Sequence, residues 1–145
     1  MKDCPPPHEE IAGFLEQHEE MWAMTCALDR TLGFGDVPIE ADTRSYYAHL
    51  AILWGVADSF SQARALSVET LALGITHHLR QYDNWEENFR DIMRVQRDPL
   101  FEPLIRAAGA AIHQLLSGQK RPEAAYLPLH ETYLAFCRRA ARSCD

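Results

Sequence analysis

Apolar residues recur every three to four positions along almost the whole chain, and this period limits the folds that it can adopt. No segment alternates apolar and polar residues in the way that a half-buried strand does. The pattern predicts an all-α protein of five or six helices in bundle-like or crossed-helix packing. The helices are predicted at about residues 8–32, 43–59, 62–80, 85–97, 99–117 and 122–142.

Residues that favour helix ends separate these predicted helices. Ser59 or Ser61 is predicted to start the helix at 62–80, and Asn84 is predicted to cap the helix that follows. Pro128 interrupts the last segment, because proline lacks the N–H that a helix interior needs. We therefore expect the last helix to start near Ala124 or later if it is to include Pro128.

Two features predict how the helices pack. The segment 43–59 is apolar almost all round, which is typical of a helix at the centre of its domain. Residues 107–111 are alanine and glycine only, and such small residues permit close helix approach. No repeat, low-complexity tract or linker divides the chain, so we expect one domain over residues 1–145, with residues 1–7 as an extended N-terminal arm.

The negative charge is concentrated in the first part of the chain. The formal net charge is −7, and residues 1–42 contain ten acidic residues against two basic ones. This charge argues against nucleic-acid binding, but it suits a protein partner with a basic surface. The candidate partner-binding acids on the first predicted helix are Glu9, Glu10, Glu16, Glu19 and Glu20.

The sequence also bears on the cellular compartment. The first residues contain no apolar signal segment, and no apolar run approaches the ~20 residues that span a bilayer. The four cysteines lack metal-site spacing, although a bridge between Cys4 and Cys144 near the two ends stays open. We expect a soluble cytoplasmic protein that does not bind membranes.

Seven histidines are distributed over the predicted helices, and four of them fall among apolar residues. These four are His18, His49, His78 and His130. A buried imidazole needs a polar partner, so these side chains either bond to neighbouring groups or build a shared metal or haem site. The known helical metal motifs, Glu-x-x-His and His-Glu-x-x-His, are absent from the sequence.

The segment at residues 80–90 is a second candidate binding surface. Tyr82, Trp85 and Arg90 are residue types that anchor protein interfaces when they are exposed. In the alternative interpretation, Trp85 and Phe89 pack inward from the start of a capped helix.

Two short stretches resemble haem-protein families. The run Leu28-Asp29-Arg30-Thr31-Leu32-Gly33, with Ser45–Leu50 and Leu53-Trp54-Gly55, resembles the first two helices of bacterial haem oxygenases. In that family the axial histidine lies three residues before the first leucine, where this chain has Thr25. The tail from Asp98-Pro99-Leu100-Phe101 resembles the last two helices of globins, without a histidine at the place of the proximal ligand. The resemblances imply haem as a candidate ligand and identify no ligating residue.

Three functions follow from these observations. The first is a small acidic binding or regulatory protein that acts through a protein partner without catalysis, because the chain has no Gly-x-Ser-x-Gly motif and no glycine-rich phosphate loop. The second is a haem- or metal-binding sensor or oxidoreductase. The third is a small-molecule pocket lined by Tyr46, Trp54, Tyr126 and Tyr133. We expect no cofactor in the first case, haem or a transition metal in the second, and we leave a homodimer open.

Overall fold

A computed structural model of the chain describes residues 44–80, 84–118 and 120–143, together with Glu9 and Ala23. Within these residues the chain is a compact all-α domain without strands, so the predicted fold class is confirmed. Its elements are α1 (Arg44–Ala63), α2 (Val68–Leu79), α3 (Trp85–Val95), a 3₁₀ turn (Pro99–Phe101), α4 (Glu102–Leu116) and α5 (Pro122–Ser143). Glu9 and Ala23 are helical and exposed, in agreement with the helix predicted at 8–32. The predicted arm at residues 1–7 lies outside the described residues.

Helix α1 lies at the centre of the domain. Its side chains are buried on every face, as the four consecutive buried residues Leu50, Ala51, Ile52 and Leu53 illustrate. Among the described elements it packs against each of the four other helices, while α2 also packs on α3, and α4 on α5. The prediction that an all-round apolar segment forms the central helix is therefore confirmed.

The closest contact of α1 is with α4, and small residues make it possible. A Cβ atom on Gly55 would lie 2.6 Å from the carbonyl oxygen of Ile105 and 2.7 Å from the Cβ of Ala108. A Cβ on Gly109 would lie 2.6 Å from the Oγ of Ser59. The alanine- and glycine-rich segment thus has the role that the sequence predicts for it.

The boundary between α1 and α2 differs from the prediction. Neither Ser59 nor Ser61 starts a helix, because α1 continues to Ala63 while Phe60 and Ser61 remain buried. The N-cap of α2 is instead Ser67, whose Oγ accepts a hydrogen bond of 3.1 Å from the backbone N–H of Thr70. Apolar burial extends α1 past two residues whose side chains favour a helix start.

The turn after α1 contains an unusual backbone conformation. Ala65 has a φ of 54°, the left-handed region that glycine adopts most easily. The Leu66 N–H bonds back to the Ser61 carbonyl at 2.8 Å, as in the motif that closes many helix C-termini. An alanine therefore occupies a position where a side chain costs free energy.

Two further helix starts refine the predictions. Asn84 precedes α3 as predicted, but its side chain makes no capping hydrogen bond. The segment after Asp98 begins as the 3₁₀ turn, and the Asp98 carboxylate accepts a bond of 3.0 Å from the Leu100 N–H.

The expectation for Pro128 is wrong, because α5 begins at Pro122 and continues through it. A proline at this position removes the hydrogen bond to the carbonyl of Ala124, four residues earlier. Both Ala124 and Pro128 are exposed, so water can bond to that carbonyl.

Candidate functional site

His49 on α1 and His78 on α2 lie beside each other inside the core. Their ring centroids are 5.5 Å apart and the ring planes are inclined by 30°. Each residue is only 2% exposed, and the Nδ1 atom of each ring is buried. The structure therefore brings together two of the four histidines that the sequence selects.

Helical periodicity places both rings at this contact. His78 follows Leu71 and Ile75 at intervals of seven and three residues, so the three share one face of α2. All three are buried, and this face of α2 belongs to the same hydrophobic core as α1. His49 lies among the buried residues of α1, where almost every direction faces a neighbouring helix.

His77, the residue before His78 on α2, points in a different direction from His78. Neighbouring residues on a helix point about 100° apart, and His77 is accordingly only half-buried. Burial is the main cause that lowers its pKa below 6.5, and the charges of His78 and Arg80 lower the pKa further. His77 is therefore mainly uncharged at neutral pH.

The other two predicted histidines do not extend the pair within the described residues. His130 is half-buried on α5, and His18 lies outside the described residues. In the described part of the chain, no group of three or more histidine, cysteine or acidic side chains could hold a metal ion. The pair His49 and His78 is the cluster that the described residues offer for the predicted metal or haem site.

An open groove lies where α1, α3 and the 3₁₀ turn meet. Its volume is about 250 Å³, and it is lined by Tyr47, Arg94, Val95, Asp98, Leu100 and Phe101. The wall is mainly apolar, and Leu100 is 51% exposed beside it. The ring of Phe101 lies 6.4 Å from that of Tyr47 and 5.5 Å from that of Phe136, which fixes the floor in place.

Charged side chains stand at the rim of this groove. The Arg94 guanidinium lies 3.5 Å from the Asp91 carboxylate, and both Arg94 and Asp98 are exposed. Asp98 also fixes the backbone of the rim through its bond to Leu100. Sequence reasoning did not identify the groove, although the apolar Leu100 directly after the Asp98-Pro99 break was a signal for it.

A buried polar contact connects α1 to α3 close to the groove. The Tyr46 phenol oxygen lies 2.6 Å from an oxygen of Asp91 and 2.8 Å from the side-chain oxygen of Asn88. A phenol has one hydrogen, which the charged Asp91 accepts in the shorter bond. An Asn88 amide turned by 180° would instead donate its N–H to the phenol oxygen.

The predicted partner-binding residues are only partly described. Glu9 and Arg90 are exposed, and Trp85 is half-buried with the Arg80 guanidinium 5.8 Å from the centroid of its ring. Phe89 is buried, as the inward-packing alternative predicts. The remaining candidates lie outside the described residues, and they are Glu10, Glu16, Glu19, Glu20 and Tyr82.

The four aromatic residues predicted for a small-molecule pocket do not line the groove. Tyr46 and Tyr126 are buried core residues, while Trp54 and Tyr133 pack partly buried against the core. Burial raises the pKa of Tyr126 and of Tyr133 to about 12, with a contribution from Cys137 in the case of Tyr133.

Comparison with models of protein families, with curated proteins and with solved structures gives no match for this chain. Among the described residues, no helix is both long enough and apolar enough to cross a membrane. The site must therefore be interpreted from its own geometry and chemistry.

Proposed function

We propose that this chain is a small helical binding protein, whose groove at the junction of α1, α3 and the 3₁₀ turn receives an apolar side chain of a basic protein partner. The observation that carries the proposal is the groove itself, with an apolar wall and a charged rim. Centres of protein interfaces combine these features, because an apolar anchor loses water there while the rim remains polar.

The size of the groove favours a protein side chain over a small molecule. Pockets for drug-sized ligands range from about 300 to 1,000 Å³ and enclose most of the ligand. This groove measures about 250 Å³ and is open to solvent. One large aromatic or aliphatic side chain is therefore a better match than a cofactor or metabolite.

The distribution of charged residues favours a partner with a basic surface. Residues 1–42 carry ten acidic residues and two basic ones, so the protein attracts a basic surface from a distance. At the groove the positive charge of Arg94 is partly offset by the carboxylate of Asp91. Asp98 adds a negative charge at the rim. A partner segment with lysine or arginine on both sides of its anchor complements this arrangement.

A short synthetic peptide with this chemistry tests the proposal directly. In NMR titrations of the full chain, the peptide acetyl-Lys-Lys-Trp-Lys-Lys-amide is expected to shift the amide signals of Val95, Asp98 and Leu100. The same peptide with serine in place of tryptophan, or with glutamate in place of lysine, is expected to bind at least about tenfold more weakly.

Two variants, each at an apolar residue with about the same exposed fraction, provide the control. Leu100 and Val68 are exposed by 51% and 52%, but only Leu100 borders the groove. Leu100→Asp is expected to abolish the shifts, whereas Val68→Asp is expected to preserve them. Shifts that map outside the groove, or that survive Leu100→Asp, would contradict the proposal. Dimerisation that depends on Leu100 would assign the groove to a second copy of the chain instead.

A further inference from the structure

Arg94 has the same sign of charge as the basic partner proposed for the groove. It lines the groove, and its guanidinium lies 3.5 Å from the carboxylate oxygen Oδ1 of Asp91. This distance is longer than the about 2.7–2.9 Å of a strong charge-assisted hydrogen bond. The Arg94 side chain is also 78% exposed, so water competes for both charges. Arg94 is therefore held only loosely at the rim.

Asp91, by contrast, is held from inside the domain. Its side chain is only 22% exposed, and its second oxygen, Oδ2, accepts a hydrogen bond of 2.6 Å from the Tyr46 phenol. Tyr46 is buried and belongs to the hydrophobic core. The carboxylate thus has one oxygen bonded to the core and the other directed towards Arg94. The negative charge stays in place when Arg94 moves.

We propose that Asp91 binds a lysine side chain of the basic partner, and that Arg94 occupies this place in the free protein. The inference rests on the proposed function of the groove. Val95 lines the groove and follows Asp91 by one helical turn, or about 5.4 Å. A lysine beside the apolar anchor of the partner is long enough to cover this distance. Asp91 and Asp98 lie before and after Val95 in the chain, which suits an anchor with lysine on both sides.

The available oxygen favours lysine over arginine as the residue that Asp91 binds. A guanidinium binds best when both oxygens of a carboxylate accept from its parallel N–H groups. Oδ2 of Asp91 is bonded to Tyr46, so Oδ1 is the oxygen that faces the rim. An ammonium group is compact and binds well to a single acceptor. The carboxylate therefore offers arginine no advantage over lysine.

The affinity of the peptide acetyl-Lys-Lys-Trp-Lys-Lys-amide for variants of the full chain tests the proposal, at about 0.15 M salt to screen distant charges. Arg94→Gln is expected to bind the peptide at least about threefold more tightly than the wild type, because it leaves Asp91 open. Asp91→Asn keeps an oxygen for the Tyr46 phenol and is expected to bind at least about fivefold more weakly. Arg90→Gln is the matched control, since it removes the same charge from an exposed position on α3, and its affinity is expected to stay within about twofold of the wild type.

The double variant Asp91→Asn with Arg94→Gln separates competition for Asp91 from a general effect of charge. If Arg94 acts by occupying Asp91, its removal no longer tightens binding once Asp91 is neutral. A gain from Arg94→Gln that persists in the Asp91→Asn background would refute the proposal, as would an equal gain in Arg90→Gln. A peptide with arginine in place of each lysine that binds more than about threefold more tightly would refute the choice of lysine.

Carbon-13 NMR of the wild-type chain keeps the proposal testable if a variant does not fold. At saturation, the lysine peptide is expected to shift the side-chain carboxyl signal of Asp91, whereas a peptide with glutamine in place of each lysine is expected to leave it unchanged. A shifted Leu100 amide with an unchanged Asp91 carboxyl would refute the lysine site and leave the groove as the binding site. If neither signal shifts, the groove and the lysine site are both rejected.

Discussion

Gly55 on α1 and Ala108 on α4 face each other so closely that a Cβ on Gly55 would lie 2.7 Å from the Cβ of Ala108. The nearest atom to that Cβ is the Ile105 carbonyl oxygen, at 2.6 Å, and backbone atoms cannot rotate away. The distance between the two helices thus depends on the absence of one methyl group.

Gly55→Ala is expected to destabilise the domain by about 1–3 kcal/mol or more, because α1 and α4 must move apart. Gly109→Ala is the comparison, since its added Cβ meets the Ser59 Oγ, the end of a side chain that can rotate. Urea unfolding followed by circular dichroism measures both variants. A smaller loss for Gly55→Ala than for Gly109→Ala would contradict this account of the contact.

Ala65→Gly is expected to stabilise the protein by about 1 kcal/mol, because glycine adopts the left-handed conformation of the turn without a steric cost. Ala63→Gly, at the last residue of α1, is the control and is expected to lower stability by about 0.5–1 kcal/mol. Thermal unfolding separates the two variants by the sign of the change in melting temperature. The same sign in both would show that the turn is not strained.

Tyr46→Phe is expected to cost about 1–2 kcal/mol, because it removes the phenol that donates to the Asp91 carboxylate at 2.6 Å. The double variant Tyr46→Phe with Asp91→Ala tests whether the two groups interact. The loss in the double variant should be smaller than the sum of the two single losses. Simple additivity would mean that the bond contributes nothing to the free energy of unfolding.

Stability is expected to fall below about pH 6.5 in part because of His77. Its pKa is lowered in the folded chain, so the unfolded chain binds a proton first as the pH decreases, and protonation favours unfolding. The loss ends once the pH is below the lowered pKa. Urea midpoints measured between about pH 8 and pH 5 should depend less on pH in His77→Gln than in the wild type. An unchanged pH profile in this variant would contradict the role of His77.

Much of the fold could be predicted because the helical period of apolar residues depends on local sequence alone. The all-round apolar residues of α1 identified the central helix, and the small residues near Gly109 identified its close contact. Helix ends were harder, because serines at 59, 61 and 67 all have side chains that suit an N-cap. Only the burial of Phe60 and Ser61 in the assembled core decides that Ser67 caps α2.

The candidate sites depend on contacts between helices, which no local pattern contains. The position of His49 and His78 among apolar residues predicted their burial, but their meeting depends on how α2 packs on α1. The groove likewise arises from Tyr47 and Phe101, which are far apart in the sequence. The 3₁₀ turn at the rim of the groove is capped by Asp98. The periodicity of apolar residues does not predict such a short turn.

Helix α1 packs against α2 and α3, which contact each other, and also against α4 and α5, which form a second contacting pair. A substitution in α1 is therefore transmitted to both pairs at once, whereas a change on the outer face of another helix meets solvent. The tolerance of the protein to amino-acid substitution therefore differs from helix to helix. The exposed faces of the outer helices can change residue by residue, but the buried positions of α1 can change only together with the helices around them.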